Sequence, residues 1–77
     1  MDPERHARLA LGELADVVRA DPGCGRAHFF TGEIQRARGA WAEAEEAYRH
    51  AHRADPSDRR AQELALDALR QRKSAST

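Results

Sequence analysis

The chain has 77 residues, in which 13 basic residues balance 13 acidic ones. This length allows one small domain. The balanced charge disfavours a broad nucleic-acid interface and electrostatic attachment to an anionic membrane, and no apolar run is long enough to predict a membrane span.

The first segment predicts a helix over residues 3–20. Asp2 is a good N-cap, and Pro3 suits the first helical turn. Pro22 disfavours helical geometry in the residue before it, so the helix should end there. Large apolar side chains recur along the segment at helical spacing, at Leu11, Leu14 and Val18.

Two further helices are predicted on either side of Gly39, over residues 26–38 and 41–54. Gly39 suits the end of the first of these helices, because glycine adopts the left-handed conformation that closes many helices. In the second, Glu45 and Arg49 are expected to form an exposed ion pair four residues apart. Its buried stripe should follow steps of three and four residues, through Trp41, Ala44, Tyr48 and Ala51.

The last segment predicts a helix over residues 58–71, which Ser57 or Asp58 can cap. The polar residues 73–77 show no periodic pattern, and we expect them to form a disordered tail. Residues 1–72 are then a single helical domain.

The chain contains an internal repeat. Asp21-Pro22 recurs as Asp55-Pro56, and the offset, 55 − 21, is 34 residues. A period of 34 residues with a helix–turn–helix pattern is typical of tetratricopeptide repeats. The small, small, aromatic, small and proline sites of that family are matched by Gly32, Ala44, Tyr48, Ala51 and Pro56. The chain therefore resembles the tetratricopeptide-repeat family.

This resemblance implies an all-α fold of about four helices, in which antiparallel helix–turn–helix hairpins stack as a short right-handed solenoid. One full repeat would be flanked by two half-repeats, and Ala44 would meet Gly32 where the two helices of the full repeat touch. The offset maps the second helix of that repeat onto the first helix of the chain, where its signature sites become Ala10, Leu14 and Val17.

The first helix of the full repeat departs from the family pattern. Bulky apolar side chains are usual on its inner face, but polar ones stand here, at His28, Thr31 and Gln35. We expect Phe30 and Ile34 to provide the packing instead, with Phe30 in the core.

The family's partner-binding groove maps onto Arg26, Phe29, Glu33 and Arg36. An aromatic anchor between charges of both signs suits a peptide-binding surface. The alternative is that Phe29 only packs between helices. The resemblance thus predicts a non-enzymatic adaptor or scaffold that binds another protein or peptide.

Two other functions stay open. The chain could form a homodimer through apolar side chains on the first helix, at Leu9, Leu11 and Leu14. It could instead be the terminal repeat segment of a larger multidomain bacterial protein.

Catalytic, metal and cofactor chemistry is not expected. His50 and His52 lie two residues apart on a helix and therefore point apart. Cys24 is the only cysteine, which excludes a disulfide framework within the chain, and we interpret it as an inert turn residue. No signal peptide is visible, so a cytoplasmic location is predicted.

Overall fold

A computed structural model describes residues 2–75 of the chain. This part contains four α-helices and no strand, which confirms the predicted all-α fold. The helices are α1 Pro3–Ala20, α2 Gly25–Ala37, α3 Trp41–Ala54 and α4 Arg59–Ala75. Within residues 2–75, none of them combines the length and the hydropathy that crossing a membrane requires.

Each helix packs on the next one along the chain, so that α1 contacts α2, α2 contacts α3 and α3 contacts α4. Neighbouring helices are antiparallel. The start of α2 meets the end of α3, where a Cβ added to Gly25 would lie 3.1 Å from the Cβ of Ala54. At the other end of α2, Arg38 donates to the carboxylate of Glu4 over 3.2 Å. Two antiparallel hairpins therefore stack side by side.

The ends of α1 follow from residues next to it in the sequence. The carboxylate of Asp2 accepts a hydrogen bond from the N–H of Glu4 at 3.0 Å and caps the helix. Pro3 occupies the first turn, where a missing N–H costs nothing. The helix ends at Ala20, two residues before Pro22, as the sequence predicts.

The helix α2, Gly25–Ala37, begins and ends one residue earlier than predicted. Gly39 follows it with φ of +74°, a conformation that suits glycine. Its N–H donates to the carbonyl of Arg36 at 3.0 Å, and the N–H of Ala40 donates to that of Gln35 at 2.9 Å. These two bonds form a Schellman motif, which satisfies carbonyls at the end of the helix.

The helix α4 starts where Asp58 caps it, by accepting from the N–H of Arg60 at 3.0 Å. A side-chain hydrogen bond from the same arginine lowers the pKa of Asp58.

The predicted disordered tail, residues 73–77, differs from the structure. Lys73–Ala75 continue α4, and the last two residues of the tail lie outside the described part. The helix extends because its last residues are compatible with helix and its basic side chains favour a helix C-terminus.

The core lies between α2, α3 and α4 and consists mainly of alanine. Tyr48 is the largest side chain that is fully buried, and α1 contributes no buried residue. Partly buried large side chains pack around the core at Phe29, Trp41 and Leu64. The buried alanines are Ala27, Ala44, Ala47, Ala51, Ala61, Ala65 and Ala68. Small side chains let the helices approach closely, and Tyr48 fills the centre.

The side chain that lies against Gly32 of α2 is Tyr48, whereas the sequence predicts Ala44 at this contact. A Cβ added to Gly32 would lie 2.7 Å from Cε1 of the Tyr48 ring. Ala44 is fully buried, in a cluster with Tyr48 and two alanines of α4. Gly32 is needed because a flat ring lies against its backbone.

The prediction that Glu45 lies on the exposed face of α3 is wrong. This side chain is buried, with 8% of its surface exposed. One of its carboxylate oxygens lies 3.2 Å from Nη1 of Arg72 on α4. The other lies 3.9 Å from Nη1 of Arg49. The packing of α4 against α3 buries this side chain, and two arginines balance its charge.

The prediction that Phe30 lies in the core is wrong. This side chain is 47% exposed, because it lies at the edge of α2, where it lines open concave surfaces towards α1 and towards the start of α4. Its neighbour Phe29 packs against the core in its place.

Candidate protein-binding surface

The four predicted groove residues lie along one side of α2, at steps of three and four residues. The structure divides them into two pairs. Arg26 and Phe29 line one cleft, whereas Glu33 and Arg36 lie near the hydroxyl of Tyr48.

Phe29 has contacts on two sides. Its ring packs edge-on against Tyr48, with the centroids 5.6 Å apart and the planes at 67°. The guanidinium carbon of Arg60 lies 5.2 Å from the ring centroid, within the range of a cation–π interaction. The ring therefore contributes to packing between helices and also remains part of a surface.

This surface is a cleft between the start of α2, the end of α3 and the start of α4, with a volume of about 510 Å³. We call it the α2–α4 cleft. Charges of both signs surround its two aromatic rings, and small residues form its remaining wall. The charged and aromatic side chains are Arg26, Phe29, Phe30, Asp55, Asp58 and Arg60.

Most of the charges in the α2–α4 cleft already have partners within the chain. Arg60 pairs with Asp58, with Nε 3.4 Å from Oδ1. Asp55 accepts a hydrogen bond from the hydroxyl of Ser57 at 2.6 Å. Arg26 is exposed and has no such partner among residues 2–75. It is therefore the cation in the cleft that is best placed to meet an external acidic group.

Glu33 has a structural task instead. Its carboxylate accepts a hydrogen bond from the hydroxyl of Tyr48. Burial, together with this hydrogen bond and the negative charge of Glu33, raises the pKa of Tyr48 well above its ordinary value, and the positive charge of Arg36 opposes the rise. Glu33 thus satisfies a polar group that the core would otherwise leave unpaired.

Sequence reasoning missed Asp55, Asp58 and Arg60, which complete the cleft. A signal for one of them was present, since Arg60 lies 34 residues after Arg26. The offset places both arginines at the same site of successive repeats. The two aspartates lie in the turn between α3 and α4, whose path depends on how the helices pack.

A second concave surface lies between α1 and α2, with a volume of about 390 Å³. It is mostly apolar, and we call it the α1–α2 groove. Large apolar side chains line it, at Leu14, Val17, Phe30 and Ile34.

The structure brings two histidines together that the sequence did not connect. The rings of His28 and His50 are stacked, with their centroids 4.9 Å apart. Nε2 of His28 lies 3.0 Å from the carbonyl oxygen of Pro22, and Nε2 of His50 lies 3.7 Å from the carboxylate of Glu46. Residues 2–75 contain no group of three or more side chains that could hold a metal ion.

The chain matches a known protein family. The family model described as tetratricopeptide repeat matches residues 4–59, well over half of the chain. The matched range includes nearly all of α1 and the whole of α2 and α3. No curated protein and no solved structure matches the chain.

Proposed function

Because the chain belongs to the tetratricopeptide-repeat family, whose domains generally mediate protein–protein interaction, we propose that it is a non-enzymatic adaptor that holds a segment of a partner protein. The observation that carries this proposal is the α2–α4 cleft. It combines a half-buried aromatic ring, Phe29, with an exposed arginine, Arg26. Fold alone does not define function, so the proposal depends on this site.

The chemistry of the cleft suits an extended segment with one apolar side chain next to an acidic group. The apolar side chain would lie against Phe29, and the acidic group would pair with Arg26. Aromatic and arginine side chains contribute strongly to many protein interfaces, in particular where the partner excludes water from them.

The test is capture of partner proteins from an extract of the native cell. We would compare the wild-type chain with Phe29→Ala/Arg36→Ala and with Arg26→Glu. The double variant removes the anchor, but it also removes packing against Tyr48. Arg26→Glu is the cleaner change, because Arg26 is exposed and its replacement reverses a charge in the cleft without removing the ring that packs against Tyr48. Arg8→Glu is the matched control, since Arg8 is exposed on α1, away from the cleft.

We expect Arg26→Glu and the double variant, which removes the Phe29 ring from the cleft, to lose the same captured proteins that Arg8→Glu retains. Circular dichroism should show equal helicity for all of these chains. Capture that survives in Arg26→Glu and in the double variant would show that the cleft is not the binding site.

Self-association is a second candidate, because Leu9 on α1 is 61% exposed and Leu66 on α4 is 54% exposed. A cytoplasmic location, and a place as the terminal segment of a larger multidomain bacterial protein, stay predictions.

A further inference from the structure

Two apolar faces lie at opposite ends of the row of helices. The face on α1, which we call the head face, consists of Leu9, Leu14 and Val17. The face on α4, which we call the tail face, consists of Leu66 and Leu69. Leu9, Val17 and Leu66 are three of the four large apolar side chains that are exposed in residues 2–75. Single exposed leucines are ordinary, but clustered ones mark interaction sites.

The repeat offset relates these faces to a contact that the chain already makes. Ala10 lies 34 residues before Ala44, and Ala27 lies 34 residues before Ala61, so α1 corresponds to α3 and α2 corresponds to α4. Within the chain, α3 packs on α2. The equivalent contact would join α1 to α4, which lie at opposite ends of the row. It can form only between two molecules.

At the centre of the contact, the residue pair found between α2 and α3 is replaced by a different pair between α4 and α1. Between α2 and α3, the Tyr48 ring lies against Gly32, which has no side chain. The equivalent positions on the head and tail faces are Leu14 and Leu66. A large ring opposite a bare backbone is thus replaced by two leucines of intermediate size. The centre of the contact therefore stays apolar.

Next to this centre, the contact becomes more apolar. Gln35 of α2 and Glu43 of α3 line one shallow cleft between their helices. The equivalent residues are Leu69 of the tail face and Leu9 of the head face. Two leucines that are partly or largely exposed in one molecule would therefore cover each other.

A charge pair adds direction. Within the chain, Arg60 of α4 lies over Phe29 of α2. The offset moves Arg60 back to Arg26 and Phe29 forward to Glu63. An α4 helix seated on the head face would therefore bring its Glu63 towards Arg26 of the neighbouring molecule, and these charges are opposite.

We propose that copies of this chain associate head to tail, with the tail face of one copy seated on the head face of the next. The α4 helix of one copy then lies beside α1 of the next copy as α2 lies beside α3. This assembly rests on self-association, the second candidate function. It is heterologous, so each added copy presents a new face and the assembly does not close at a dimer.

The test uses two variants that each remove one face. Leu9→Glu removes the head face and keeps the tail face, whereas Leu66→Glu does the reverse. Both sites are exposed, so both chains should fold, which circular dichroism and urea unfolding would verify. Ala42→Glu, at an exposed site on α3, is the control. Sedimentation velocity would follow mass over a concentration series from micromolar to millimolar.

We expect the mass of the wild-type chain and of the Ala42→Glu control to rise with concentration beyond that of a dimer. Each leucine variant alone should bind itself at least about tenfold more weakly, because a charge replaces a buried leucine. An equimolar mixture of the two variants should form a one-to-one dimer, since one supplies an intact tail face and the other an intact head face.

Three results would overturn the proposal. A wild-type chain that stays monomeric throughout the series would exclude self-association and would indicate that the head face binds a helix of another protein. Self-association by Leu66→Glu that is lost in Leu9→Glu would indicate a symmetric dimer through α1. A mixture that contains only monomers would exclude complementary faces.

Failure of this assembly is distinguishable from failure of partner capture. Leu9→Glu and Leu66→Glu leave the α2–α4 cleft unchanged and should still capture partner proteins. The Phe29→Ala/Arg36→Ala chain keeps both faces and should still associate.

Discussion

The helix pair α3–α4 and the helix pair α1–α2 occupy equivalent places in the repeat, but they are buried to different degrees. Ala44 and Tyr48 of α3 are completely buried. Their counterparts on α1, Ala10 and Leu14, are only half-buried. The difference is that α2 covers the first pair, whereas no described helix covers the second. In this fold a core forms where a third helix lies over a pair.

The two sides of α2 show the same effect within one helix. Phe29 faces α3 and α4 and packs against Tyr48. Phe30, the next residue, lines the groove shared with α1 and is largely exposed. Two identical side chains therefore differ in burial because Phe29 packs against the core, whereas Phe30 lies at the edge of both the α1–α2 groove and the α2–α4 cleft.

The largest expected effect comes from removing the ring at the centre of the covered pair. Tyr48→Ala should cost about 3–5 kcal/mol, because it opens a cavity that the surrounding alanines cannot fill. The equivalent change Leu14→Ala should cost only about 1 kcal/mol, since that side chain is half-exposed. Urea unfolding followed by circular dichroism measures both. Equal losses would refute the difference between the two pairs.

The next largest effect is expected from replacing an alanine by leucine at equivalent sites of the pairs α3–α4 and α1–α2. Ala44→Leu should destabilise the fold by about 1–3 kcal/mol, because Ala44 is fully buried among α3 and α4 side chains. Ala10→Leu, its counterpart, projects into the open α1–α2 groove and should change stability by less than about 0.5 kcal/mol. An unchanged melting temperature for Ala44→Leu would contradict the packing described.

Two helical glycines should respond with opposite sign. Gly32→Ala should destabilise by about 1–2 kcal/mol, because its Cβ meets the Tyr48 ring and outweighs the better helix propensity of alanine. Gly12→Ala has nothing within 4 Å of the new Cβ. It should therefore stabilise α1 by up to about 1 kcal/mol. Thermal unfolding of both variants is the measurement, and a stabilising Gly32→Ala would count against the close contact.

The smallest expected effect is the dependence of stability on alkaline pH through the Tyr48 hydroxyl, whose pKa is raised in the folded chain. At neutral pH this effect is absent. A raised pKa favours the neutral form, so stability is fully present below the ordinary pKa of 10.0 and falls as pH rises above it. Tyr48 is the only tyrosine, so absorbance near the ultraviolet tyrosinate band reports it alone. Tyrosinate should appear together with loss of helicity.

The control for this titration is Tyr48→Phe, which should lose most of the alkaline fall in stability. Ionisation of Tyr48 near its ordinary pKa in a chain that stays fully helical would contradict the buried hydrogen bond to Glu33.

Helix ends were predictable wherever the signal lies within a few residues. Asp2, Pro22 and Gly39 set the ends of α1 and α2 to within one residue of the predictions. The C-terminal end of α4 was not, because Lys73 and the residues beside it carry no stop signal and are compatible with helix.

The candidate site was less accessible to prediction. Arg26 and Phe29 could be proposed from the repeat register, but the same register also pointed to Glu33, whose carboxylate instead binds the hydroxyl of Tyr48. A hydrogen bond between residues 15 apart depends on how two helices rotate about their own axes. The positions of Asp55 and Asp58 in the α2–α4 cleft depend on the same rotation.

The sequence by itself determined the four helices and the 34-residue offset that relates α1 to α3 and α2 to α4. Caps, prolines and glycines act on the neighbouring backbone. The periodic spacing of apolar residues predicts a helix whichever helix packs against it. Only the tertiary structure decided which side of α2 is buried. Phe29 and Phe30 point about 100° apart around the helix, and either could have faced the core. The packing of α3 and α4 placed Phe29 against the core and left Phe30 at the open edge of α2.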